Sequence, residues 1–158
     1  MINLKFDSIT GVLTLDNLPV EVKTEDDFCK SKLYQNLVDR NCIKGITPHH
    51  YLVDSVIFFD KEFEVYIRPI CYGFPFMVQL IDKNGKYYQS LKDWSARSDI
   101  NMLNDSVKGL SDWLKAALNL AAPDVKKNEI VRWDLEWGRV SASYETRSFN
   151  HGIYITWK

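Results

Sequence analysis

Hydrophobic and polar positions change period several times along this chain of 158 residues, and each change predicts an element. Leu4 to Phe6 and Val12 to Leu15, on either side of Thr10-Gly11, predict two short strands around a turn. Thr24-Glu25-Asp26-Asp27 then sets a capping hydroxyl ahead of acidic residues that suit the positive end of a helix dipole. Phe28, Leu33 and Leu37 follow at helical spacing, so a helix from about Glu25 to Arg40 is predicted, with a loop from Asn41 to His50 containing Gly45 and Pro48. From Tyr51 the pattern becomes that of strands. Tyr51 to Phe59, Phe63 to Ile70 and Phe74 to Ile81 are rich in β-branched and aromatic residues and predict an antiparallel meander.

In the second meander strand Phe63, Val65 and Ile67 share one face, while Glu62, Glu64, Tyr66 and Arg68 share the other, which is expected to be wet. An Asn84-Gly85 turn leads to Tyr87 and Tyr88, predicted as a short extra strand. Ile100, Leu103, Val107, Leu110, Leu114 and Ala117 draw one apolar stripe on a helix from Ser98 to about Leu120, capped by Ser98 or Asp99.

The terminal segment from Trp133 to Trp157 reads as a pair of antiparallel strands. Trp133, Leu135 and Trp137 have one parity and Val140, Ala142 and Tyr144 the other, so a β-bulge or sharp twist is predicted at Gly138 to keep both sets pointing inward. After a turn from Ser148 to Gly152, Ile153, Ile155 and Trp157 alternate in the last strand. No linker rich in Gly, Ser or Pro, no internal repeat and no low-complexity tract marks a boundary, so a single domain over residues 1–158 is predicted, and its strands and helices lack regular βαβ alternation. Its fold class is α+β, a mainly antiparallel sheet of about six strands with two helices packed on one face.

Composition narrows the function classes. Hydrophobic residues make up 46% and charged residues 26%, which is ordinary for a globular chain. A net charge of −1 gives no general electropositive field for a phosphate backbone, so nucleic acid is an unlikely partner and a sheet-face RNA binder using Tyr66 and Tyr154 is the weakest reading. The first residues lack the pattern of a secretory signal, no apolar run is long enough to span a membrane, and Cys29, Cys42 and Cys71 form no tight spacing. A cytoplasmic protein with reduced thiols is expected.

Candidate chemistry is sparse. His49-His50, near Cys42 and Asp54, has the residue types zinc prefers, but neighbouring histidines in a strand point to opposite faces and cannot easily share one ion. Cys71 needs an approaching histidine to act as a nucleophile, and its place at a strand end fits a small buried hydrophobe. Glu145, Arg147 and His151 near the last turn are the residues an acid–base site would use, in a small enzyme or ligand-binding module with a pocket between helix and sheet. No nucleotide-binding, zinc-protease or lipase motif occurs. The expectation is therefore no catalytic residue, no metal and no cofactor. Glu62, Glu64, Tyr66 and Arg68, with Asp134 and Glu136, are the candidate partner-binding residues, as carboxylates beside an aromatic ring and an arginine suit a basic partner.

Asp93-Trp94 before a helix, Trp113-Leu114 on it, Trp137-Gly138 with Val140, Ser143 and Tyr144, and then Ile153 and Ile155 form a pattern over about half the chain. In these residues the chain resembles small bacterial immunity proteins of contact-dependent growth inhibition and related polymorphic toxin systems. It departs from their pattern at Glu145, where an aspartate is expected, and at Trp157, where a tyrosine is usual. The resemblance implies a cytosolic inhibitor that binds a cognate protein toxin domain, such as a nuclease, and blocks its active site or access to its substrate. It assigns no interface residue.

Overall fold

The N-terminal residues build two short hairpins, β1 (Ile2–Phe6) with β2 (Leu13–Leu15) and β2 with β3 (Leu18–Pro19). In the computed structural model, which describes residues 1–46 and 48–158, the first helical region is two helices, α1 (Glu25–Cys29) and α2 (Lys32–Asp39). The break follows from the sequence: Ser31 turns extended and its hydroxyl accepts the Tyr34 N–H, so a second N-cap interrupts the expected single helix. The segment read as a loop from Asn41 to His50 holds a short strand, β4 (Lys44–Ile46), and Thr47 within it lies outside the described residues.

Strands β5 (His50–Phe58), β6 (Lys61–Arg68) and β7 (Met77–Asp82) form the predicted meander. Tyr87 and Tyr88, expected in a strand, lie in a short helix, α3 (Lys86–Gln89), followed by α4 (Trp94–Arg97), which Asp93 caps. The long stripe forms α5 (Ile100–Leu118), with the Asp99 carboxylate accepting the N–H groups of Asn101 and Met102, and Asn119 ends it in a left-handed conformation. Then come β8 (Val125–Lys126), β9 (Ile130–Asp134), β10 (Gly138–Tyr144) and β11 (His151–Trp157).

The described residues thus form eleven strands and five helices, against the expected six or so strands and two helices. The hydrogen-bonded order is β3-β2-β1-β5-β6-β7-β11-β10-β9-β8, with β4 beside β5. The sheet is mixed, since β1 runs parallel to β5 through Ile2 and Val56 while its other pairs are antiparallel. Additional strands of two or three residues are too short to show any alternation in sequence.

The terminal segment departs furthest from the pair of strands its pattern predicts. It contains three strands, and the parity change is a tight hairpin: Leu135 and Gly138 exchange both backbone hydrogen bonds around Glu136 and Trp137. The change of parity is therefore a reversal of direction and not a bulge at Gly138. The glycine is required for another reason, because a Cβ there would overlap the Thr156 carbonyl oxygen of the neighbouring strand.

One sheet face buries the core. Val53, Val65, Leu80, Ile153, Ala142 and Val131 lie in register across β5, β6, β7, β11, β10 and β9. The stripe of α5 covers this face, with Trp113 against Phe58 and Phe63 and the Tyr144 hydroxyl bonded to Asn104 at 2.7 Å. Phe28 of α1 packs on Tyr51 and Phe76 of the same face. The other face carries the candidate residues.

Candidate functional site: an aromatic and arginine-rich sheet face

On the uncovered side one row of residues runs in register across the sheet: Leu52, Tyr66, Gln79, Tyr154, Ser141 and Arg132. A second row, Arg68, Met77, Thr156, Arg139 and Asp134, runs beside it. Strand parity therefore brings Glu64, Tyr66, Arg68 and Asp134 to one face, as their spacing anticipates. Glu136 stands exposed in the β9–β10 hairpin instead.

The face is less wet than alternation predicts. Glu64 is only 8% exposed, and its carboxylate accepts the hydroxyl protons of Tyr66 and Tyr88. Burial, reinforced by the carboxylate of Glu64, pushes the Tyr66 hydroxyl well above the ordinary phenol range. Tyr154 is raised likewise by burial, with Tyr87 and Glu145 adding to the effect. Gln79 ties the centre together by donating to Asn150, to the His151 carbonyl and to the Tyr154 hydroxyl, at 3.1, 3.3 and 3.1 Å. These side chains hold each other in place.

The remaining carboxylates are also engaged. Glu62 accepts from Ser55 at 3.2 Å and lies 4.0 Å from Lys83, while Asp134 sits 3.0 Å from Arg132 and 3.9 Å from Arg139. Arg68 and Arg97, by contrast, have no carboxylate in ion-pair range among the described residues, and each lies over an aromatic ring: Arg68 over Phe74 at 5.2 Å and Arg97 over Trp94 at 5.7 Å. Glu64 keeps its charge with only neutral hydroxyls against it, so this side carries both signs, with Arg68 and Arg97 as its cations free of a carboxylate partner among the described residues, and is not the simple acidic patch the strand sequence suggests.

The rings of those pairs border the face at opposite ends. Beyond β6, the turn from Cys71 to Phe74 exposes Tyr72 at 83% and Phe74 at 56%, with positive φ at Tyr72 and Gly73. At the other end Trp94 is 59% exposed and packs edge-on against Phe149, while Arg97 donates to the Ser148 carbonyl at 3.2 Å. Between the ends lies a shallow pocket of about 310 Å³, floored by Tyr66, Gln79 and Ile81 and flanked by Arg97 and Asn150. Sequence reasoning misses Arg97, Trp94, Phe74 and Gln79 as members of this face. Only Asp93-Trp94 draws notice, and as scaffold.

The other candidates do not assemble. His49 bonds to Glu25 at 2.6 Å and to the Tyr72 hydroxyl at 3.3 Å, His50 bonds to the Pro48 carbonyl at 2.6 Å, and the described residues contain no group of three or more His, Cys, Asp or Glu able to hold a metal. Cys29 pairs with the Tyr51 hydroxyl at 3.2 Å. Glu145 and Arg147 are exposed on the last turn, with Glu145 accepting from Ser148, whereas His151 is buried. They form no shared acid–base site.

Burial holds the His151 pKa below its ordinary value of 6.5, against the opposing pull of its bond to Ser143 and of the Asp82 charge. The unfolded chain thus takes up a proton at this residue that the folded chain refuses. Stability contributed by the neutral ring is complete above pH 6.5 and falls as pH drops through the lowered folded value. An NMR titration of the His151 ring is expected to give a midpoint below 6.5, and a midpoint at or above it contradicts this account.

Comparison with protein-family models, with curated proteins and with solved structures gives no match. Among the described residues no helix is long and apolar enough to cross a membrane.

Proposed function

We propose that this chain is a cytosolic immunity protein, a binding module that neutralises a cognate toxin domain by occluding its active site or its access to substrate. The observation that carries the reading is the pair of arginine–aromatic clusters, Arg68 with Phe74 and Arg97 with Trp94, bordering a sheet face whose central polar groups are already paired. Arginine and large rings are the side chains that dominate interface energetics, and a rigid, internally bonded floor loses little entropy on association. The resemblance to immunity proteins of contact-dependent growth inhibition supplies the kind of partner. The charge on the face sharpens the partner's chemistry: a toxin surface offering carboxylates to Arg68 and Arg97, with apolar groups beside them.

The direct test is co-expression with a candidate toxin domain encoded beside this gene. Growth is rescued by the wild-type chain, and the two proteins co-purify. An Arg68→Glu variant, altered at the half-buried last residue of β6, is expected to keep the fold but weaken the complex at least about tenfold. Absence of any complex at micromolar concentrations removes the immunity reading; an Arg68→Glu variant that binds normally removes this face from it.

A further inference from the structure

On the opposite side of the sheet, beneath α5, a cleft of about 240 Å³ opens at the ends of β6, β7 and β11. It goes beyond the toxin-binding reading and stands independently of it. Its walls include Leu110 and the Tyr87 ring, and it is bordered by Gly109 of α5, where an added Cβ would meet nothing within 4 Å. Glycine in the middle of a 19-residue helix costs roughly as much as one good packing contact gains. Here it leaves the cleft open. The ion pair of Lys61 and Asp82, at 3.2 Å, lines the edge.

One polar group within this apolar space is unspent. The His151 ring lines the cleft and is 2% exposed, packed edge-on against Tyr87 with ring centroids 5.1 Å apart. Its Nδ1 lies 2.9 Å from the Ser143 carbonyl oxygen, which can only accept, so Nδ1 carries the proton. In the neutral ring Nε2 is then an acceptor, and no described residue donates to it. Nε2 is not among the fully buried polar atoms, so on a residue this buried its open surface faces the cleft, where a ligand bringing one donor can meet it. A dry cavity of about 150 Å³ is enough for benzene, so this cleft has room for a fused two-ring molecule.

We propose that the cleft binds a small aromatic molecule carrying a single hydrogen-bond donor, of the indole or phenol class, with the ring between Leu110 and Tyr87 and the N–H or O–H given to Nε2 of His151.

The experiment is an NMR titration of the full chain with indole, followed through the amide signals of Gly109 and Gly152, with benzofuran as the ring of equal size that lacks the donor. Indole is expected to shift both signals saturably at millimolar concentrations or below, and benzofuran to bind at least about tenfold more weakly. Gly109→Leu closes the mouth while improving the helix, so its thermal midpoint is expected to equal or exceed that of the wild type while indole binding is lost. No saturable shift with indole, equal binding of benzofuran, or undiminished binding by a folded Gly109→Leu protein each overturns the proposal.

Discussion

Replacing Gly138 with valine is expected to unfold the C-terminal half of the sheet. Gly138 pairs with Trp157 across β10 and β11, and a Cβ would collide with the Thr156 carbonyl oxygen, with the Trp157 Cα also close at 3.0 Å. The obstacle is backbone, so no rotamer change relieves it, and the strands must separate or lose their ladder. A cost of at least about 3 kcal/mol follows, which is a large share of the stability of a typical domain. In urea, with a slope of roughly 2 kcal/mol/M for a chain of this size, the midpoint falls by about 1.5 M. A midpoint within about 0.3 M of the wild type would show that the strands part more easily than the register allows.

The second large effect is expected at Trp157. Its indole N–H donates to the Gly11 carbonyl at 2.8 Å, and the ring packs on Phe76 and Trp137 with centroids 5.6 and 5.7 Å away. Trp137 in turn donates to the Ser8 carbonyl at 2.8 Å and would be struck by a side chain at Gly11, whose φ is +78. Two indoles near the C-terminus therefore clamp the first turn of the chain, from Asp7 to Val12, against the end of the sheet. Trp157→Ala removes a buried ring and leaves the Gly11 carbonyl without its donor, at an expected cost of about 3–5 kcal/mol. Trp157→Phe retains much of the packing and loses the bond, so it falls between. Chemical denaturation of both variants checks the order, and an alanine variant as stable as the phenylalanine variant contradicts it.

These two sites show what the sequence could and could not reveal. Trp137, Gly138 and Trp157 stand out as scaffold by residue type alone, and the scaffold role is what they have. Their geometry was hidden because the hairpin at Glu136-Trp137 uses no residue with positive φ, whereas the familiar two-residue hairpin signal depends on Asn, Asp or Gly there. A strand that reverses without a turn signature looks like one strand with a slip. The α5 stripe, by contrast, was legible because Leu103, Val107, Leu110 and Leu114 all reach the sheet and Asp99 caps the helix with its own carboxylate.

The functional face was legible in part. Alternation puts Glu64, Tyr66 and Arg68 on one side of β6, but only the fold shows that Tyr66 and Tyr88 enclose Glu64 and that Arg132 and Arg139 flank Asp134. Which charges stay unneutralised is a tertiary property. Arg97, 29 positions beyond Arg68 in the chain, joins the same face through a helix the sequence does not announce. The sequence groups His151 with Glu145 and Arg147 as acid–base candidates, yet it lies buried at the α5 cleft while both of them are exposed on the last turn.

Calorimetric titration of the candidate toxin domain into the wild-type chain and into an Arg68→Glu, Trp94→Ala double variant measures whether the arginine–aromatic face binds it. Micromolar or tighter binding by the wild type, weakened at least about a hundredfold in a double variant that remains folded, is the predicted result. Equal affinity for both chains, or no heat of binding with either, would contradict it.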